Sequence, residues 1–145
     1  MPLHLIKLCV GCDSSEELAG WIKQRMKQRK ARGEKPEHIH TTRMAPKRAE
    51  ELLDGGSLYW VIRGQIAARE KLRDIRPFTD KDGISRCRLV LEPKLVLVEP
   101  RPFRAFQGWR YLDPKGAPRD LDRAAPGAKN MPEPMRRELR ELGLL

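Results

Sequence analysis

Along the chain, apolar residues fall into short runs whose spacing changes from one run to the next. Leu3 to Val10 is almost unbroken, with Lys7 its only charge, and predicts a buried strand ended by Gly11. Ser14, Ser15, Glu16 and Glu17 follow in the order of a capping box. The Ser14 hydroxyl and Glu17 carboxylate can satisfy free amide donors at a helix start. Both glutamates also suit the positive end of the helix dipole. This helix should run to about Arg32, with Gly33 as its stop. Leu18, Trp21, Ile22 and Met26 recur at helical spacing and face the core, yet Arg25, Arg29 and Arg32 project to the same side further on. The last two turns are therefore expected to pass beyond the sheet as a basic arm, with Lys23, Lys27 and Lys30 as a second row.

His38 to Met44 is rich in β-branched residues and predicts a strand. Pro46 suits the opening of a short helix, Lys47 to Leu53, closed by Gly55 and Gly56. From Ser57 the pattern alternates. Leu58, Trp60, Ile62, Ile66, Ala68 and Leu72 share one parity, and Arg63, Arg69, Lys71 and Arg73 the other. That predicts one long strand, apolar on one face and basic on the other, with Gly64 as a bulge. A helix from Gln65 to Asp74 is the rival reading. Thr79 to Gly83 is turn chemistry. Arg86 to Leu91 and Lys94 to Glu99 are two strands, or one interrupted at Pro93. The chain divides into a domain over 1–112, a proline-rich loose linker over 113–132 and a short terminal helix over 133–145, a candidate surface for a protein partner. The predicted architecture is α+β: a mostly antiparallel curved sheet, an N-terminal strand-helix unit and a loose C-terminal tail.

With 145 residues the chain can bury a real core without disulfides or metal. Apolar residues make up 39%, enough with these patterned runs to exclude wholesale disorder. No run approaches the roughly 18 apolar residues of a membrane span. The opening MPLHLIKL lacks the pattern of a secretory signal. Three cysteines, an odd number, suit a reducing cytoplasm.

Charge changes the picture most. Thirty Lys and Arg stand against twenty Asp and Glu, a net charge of +10. Ten of the basic residues lie between Trp21 and Arg48, against only Glu34 and Glu37. Four of the eight aromatics, Phe103, Phe106, Trp109 and Tyr111, then fall within nine residues, interleaved with Arg101, Arg104 and Arg110. Cationic groups neutralise phosphates and release counterions, while aromatic faces stack on unpaired bases. The plainer alternative is a solvated helix face with rings that complete the core.

Other features are weaker. Cys9 and Cys12 have the spacing of a shared metal site, which His38, His40 or Cys87 could complete, or of a redox pair at a helix start; small buried side chains are the simpler reading. His38 and His40 project to one face of a strand and could bind metal, act as acid and base, or line a phosphate surface near Arg43. No nucleophilic triad, phosphate loop or dinucleotide fingerprint is present, and no cofactor is expected.

The string HIHTTRMAPKRAEELLDGGSLYWVIRGQIAARE, with DGISRCRLVL and FQGWRYLDPKGAPRDL, resembles an uncharacterised alphaproteobacterial family of unknown function. That resemblance implies a cytosolic bacterial protein and supplies no activity. More loosely, the order of strand, short helix ending in glycine, and long strand through a central glycine is similar to PUA-like domains of the ASCH and EVE groups. Those are β pseudo-barrels, many of which bind RNA or modified nucleobases. The likeness implies a cleft between short helix and sheet lined by Arg43, Lys47, Arg48, Trp60, Trp109 and Tyr111. Together these readings predict nucleic-acid binding, RNA before DNA, over Lys23, Lys27, Lys30, Arg43, Lys47, Arg48, Trp60, Arg63, Arg101, Arg104, Trp109, Arg110 and Tyr111, with no membrane partner. The alternatives are a small enzyme acting on a nucleotide or modified base, marked by a pocket that joins His38 or His40 to an acid, and an interaction module for an acidic protein.

Overall fold

The computed structural model describes residues 2–104 and 106–121. Its elements run β1 (His4–Leu8), α1 (Ser15–Ala31), β2 (His38–Thr42), α2 (Ala49–Leu53), β3 (Ser57–Ile62), β4 (Gln65–Thr79), β5 (Ser85–Leu91), β6 (Val96–Pro102) and β7 (Trp109–Leu112). A short 3₁₀ turn, Pro114–Gly116, follows. The seven strands form one curved α+β sheet in the order β2-β5-β4-β3-β1-β7, with β6 also on β4. Only the β1–β3 pairing is parallel. β2 and β7 end that path and β6 pairs along β4 alone, so the sheet curves without closing into a barrel. Among the described residues no helix is long and apolar enough to cross a membrane.

The capping chemistry works much as its residues dictate. Glu17 N–H donates to Ser14 Oγ at 3.1 Å, while Glu17 Oε2 accepts from the Asp13 amide, one residue further out than a standard box. Gly33 takes φ +72, the left-handed turn that ends the helix. Leu18 and Ile22 are buried, Trp21 and Met26 half-buried. The end of α1 does not extend freely, however. Arg29 folds back, donating to Lys35 O at 2.7 Å and pairing with Glu34 at 3.1 Å.

The expected strand through Gly64 is instead a hairpin. Arg63 and Gly64 both adopt positive φ, +51 and +77, which forms the tight two-residue turn that matches the twist of paired strands. A register shift after Trp60 then re-phases β4. Ile66 consequently sits with Val61 on one face, while Glu70 and Leu72 return to the face of Leu58 and Trp60. The rival helix over 65–74 is absent. β5 and β6 follow each other along one side of β4, broken at Pro93, with Glu92 N–H donating to Lys71 O across the break.

Two apolar clusters hold the sheet. Leu5, Leu58, Ile62, Leu89 and Leu91 lie on the face under α1, and Ile6, Tyr59, Val61, Ile66 and Val98 on the other, where Phe103 and Phe106 pack. Each fully buried Leu or Ile stabilises by about 1.5–3 kcal/mol. The segment expected to begin a loose linker at Asp113 stays anchored as far as Leu121, which is fully buried. Asp120 pairs with Arg69 at 2.8 Å and bridges to Val98. The remainder of that linker and the expected terminal helix lie outside the described residues.

Gly56 marks the tightest passage of the chain. A Cβ there would stand 2.3 Å from both Leu3 O and Leu52 O, two backbone atoms that cannot swing aside. Gly56→Ala should therefore cost about 3 kcal/mol in urea unfolding. Gly33→Ala, in open surroundings, should cost only about 1 kcal/mol for its positive φ. Equal losses would contradict this account.

Candidate ligand site

The residues with chemical potential gather on the concave face beneath α1. β4 places Glu70 there at an even position among Ala68 and Leu72, and its carboxylate has no solvent exposure. Trp60 Nε1–H donates to Oε1 at 3.0 Å, and His38 contacts Oε2 through Nδ1 at 2.8 Å. His38 Nε2 lies 3.1 Å from Nη1 of Arg25 on α1. A guanidinium only donates, so Nε2 accepts and the imidazole proton sits on Nδ1, facing the carboxylate. Glu70, His38 and Arg25 thus form a relay from core to solvent, linking β4, β2 and α1.

His40 lies two residues along β2 on the same face. Its ring meets Trp60 edge-on, with centroids 5.1 Å apart at 88°. Its Nε2 is buried and makes no hydrogen bond among the described residues. Burial first, and then the charges of Lys7 and Arg25 among its neighbours, push its pKa down to about 4, so the ring is neutral at pH 7.

A cavity of about 110 Å³ opens beside these groups, lined by Lys7, Cys9, Trp21, Arg25, His38, His40 and Trp60 among others. Lys7 stands opposite Trp60 on one side and Trp109 on the other. A wider groove of about 370 Å³ runs outward between α1 and β2, lined by Arg25, Gln28, Arg29, Arg32 and Glu37 to Thr41. Arg25, His38 and His40 line both spaces.

The basic and aromatic residues expected to form one surface are distributed over several. Lys23, Lys27 and Lys30 are exposed along α1 beside Met26 and Pro36. Arg43, Lys47, Arg48, Arg63, Arg104 and Arg110 are exposed elsewhere. Arg101 donates to Gly116 O, Arg110 covers the Phe106 ring and Arg48 pairs with Glu51. Trp109 Nε1–H donates to Met44 O at 2.8 Å, and Tyr111 Oη accepts from the Lys47 and Arg48 amides. Those two rings pin residues 44–48 to β7. Trp60 requires a correction: it is 3% exposed and bonded to Glu70, so it offers no stacking face at the surface.

The cysteines likewise settle into the core. Cys9, Cys12 and Cys87 are buried, and none of them forms a disulfide among the described residues. Burial, and then the hydrogen bond that the Cys9 thiol shares with Cys12, raise the Cys9 pKa far above its ordinary value, which opposes thiolate chemistry. Among the described residues no group of three His, Cys, Asp or Glu side chains could hold a metal ion.

Sequence reasoning missed Glu70, Lys7 and the partnership of Arg25 with His38. Glu70 carried a signal, as an acid at an even position in the apolar parity of its strand. Lys7 carried another, as the only charge in its run.

A family profile described as a protein of unknown function, DUF1489, matches residues 5–145. The chain belongs to the DUF1489 family. No curated protein and no solved structure matches it. The relay and its cavity therefore rest on this DUF1489 chain's own geometry.

Two outcomes follow. In Glu70→Gln, whichever way the amide turns, its NH₂ faces a donor, either Trp60 Nε1–H or a member of the His38–Arg25 pair. Urea unfolding should lose about 2–3 kcal/mol, and a loss below about 0.5 kcal/mol would contradict the relay. His40 has a folded pKa depressed from 6.5 to about 4, so the unfolded chain binds the extra proton between those values. Its contribution is present above pH 6.5 and is lost as pH falls toward 4, by up to roughly 3 kcal/mol. His4, lowered by burial and by Arg69, acts in the same direction. Unfolding free energies at stepped pH should show this slope, reduced in His40→Leu.

Proposed function

We propose that this is a cytoplasmic nucleic-acid-binding protein that takes RNA before DNA, with the exposed face of α1 as its phosphate-binding surface. One observation carries the reading. Arg29, Arg48, Arg69, Arg73, Arg76, Arg86 and Arg119 are each within ion-pair reach of a carboxylate. Among the described residues, Lys23, Lys27, Lys30 and Arg32 form no such pair, although they crowd onto one helix. A row of uncompensated cations at helical spacing is an electrostatic footprint for a polyanion. Preference for RNA draws on the sequence likeness to PUA-like domains and on the open grooves beside α1, which suit single strands better than a duplex.

A second reading has its own support. The relay of Glu70, His38 and Arg25 borders a groove that also carries His40, the combination of imidazole and acid that a small enzyme acting on a nucleotide or modified base would need.

Binding of a fluorescent single-stranded RNA, followed by anisotropy across a salt series, tests the first reading. Replacing Lys23, Lys27 and Lys30 together by Gln should weaken all sequences alike. The slope of log affinity against log salt should flatten by about 2, from about 0.7 per lost phosphate contact. Identical slopes and affinities would remove α1 as the surface.

A further inference from the structure

We propose that the cavity enclosed by α1, β1 and β2 is a binding site for one phosphate group, held by Lys7 and Arg25 with His40 as a third hydrogen-bonding partner. The site is separate from the outer face of α1, and its ligand is a small phosphate or phosphate monoester rather than a nucleic-acid backbone.

Lys7 is half-buried in β1, between Trp60 and Trp109, and among the described residues no carboxylate pairs with it. An ammonium partly removed from water is unfavourable unless an anion or strong acceptors meet it. Arg25, more exposed, has among the described residues only the His38 ring as a side-chain partner. Glu70, which the His38 ring joins to Arg25, is already taken up by Trp60 and His38. Two cations thus line one cavity, and among the described residues neither forms an ion pair with a carboxylate. A phosphate monoester carries roughly −1.5 to −2 at pH 7 and three strong acceptor oxygens, which matches that pair. A carboxylate would leave about one positive charge unmatched.

His40 completes the set. The residue lines the same cavity, and its buried Nε2 has no partner among the described residues. With its proton on Nε2 the neutral ring donates to a phosphate oxygen, and the anion in turn favours the charged imidazolium. Cys9 is excluded as a contributor of negative charge, since burial keeps its thiol protonated. Size adds a limit. About 110 Å³ admits a phosphate but leaves little room for more. The rest of a larger ligand must extend into the 370 Å³ groove that Arg25, His38 and His40 also line.

The test follows the His40 ring by NMR, its signal assigned by loss in His40→Gln, while inorganic phosphate, a nucleoside 5′-monophosphate and acetate are added separately to the full chain. Either phosphate compound should raise the His40 pKa by about one to three units. A response to inorganic phosphate alone identifies free phosphate as the ligand; a stronger response to the monophosphate identifies an ester. Lys7→Met should weaken binding about tenfold or more, and Lys7→Arg should recover most of it. The variant lacking Lys23, Lys27 and Lys30 should respond like the native chain, so failure of the nucleic-acid reading would leave this site standing. An unmoved His40, an equal response to acetate, or an equal response in Lys7→Met would overturn the proposal.

Discussion

A carboxylate shut away from solvent must be given hydrogen-bond donors, and Glu70 receives its donors from two other strands. Trp60 on β3 supplies an indole N–H and His38 on β2 an imidazole N–H, and Arg25 on α1 closes the far side of that imidazole. An unpaired buried charge is too unfavourable to tolerate, so the positions of β2, β3 and α1 are tied to one another through a single side chain. β2 is an edge strand that pairs only with β5. The relay gives it a second attachment, across the sheet's curve. The same attachment sets the His38 tautomer and brings His40 against Trp60, so the cavity exists where it does because Glu70 is satisfied.

Part of the charge is met within the fold: Arg69 pairs with Asp120, Arg86 with Asp80 at 2.6 Å and Arg76 with Asp74 at 2.8 Å. Pairs of this kind add little stability each, and they leave Arg43, Arg63, Lys71 and Arg104 outside any ion pair among the described residues. Further unpaired cations lie on α1 and at the mouth of the cavity. Steering of an anion toward that mouth would use the outer cations, while retention would use Lys7 and Arg25.

The aromatic segment shows how composition and position separate. Trp109 and Tyr111 were conspicuous for their density beside arginine, and in the fold both are half-buried and bound to residues 44–48. Their polar edges meet backbone groups of a loop that forms no ladder of its own. Phe103 and Phe106 cover the second core cluster, with Arg110 laid over one ring. An interleaved pattern of Arg and aromatic residues is therefore as compatible with closing a small sheet as with stacking on bases.

Much of the local structure was determined by the chain's own order of residues. Ser14 through Glu17 specify a helix start because donors and acceptors three residues apart can close only one way, and Gly33 specifies its end through a backbone angle other residues resist. Strand identity followed from β-branched and alternating residues in β2, β3 and β4. What the linear pattern could not decide was phase. The Arg63–Gly64 turn and the irregularity after Trp60 each shift alternation by one, and only the pairing of β3 with β4 reveals that Ile66 leaves the α1 face while Glu70 stays on it. The relay has the same origin. Its members are separated by 13 and 32 residues, and their meeting depends on how far β4 bends and where α1 crosses it. Periodicity reports which neighbours share a face within one element; it holds no information on which elements that face will meet.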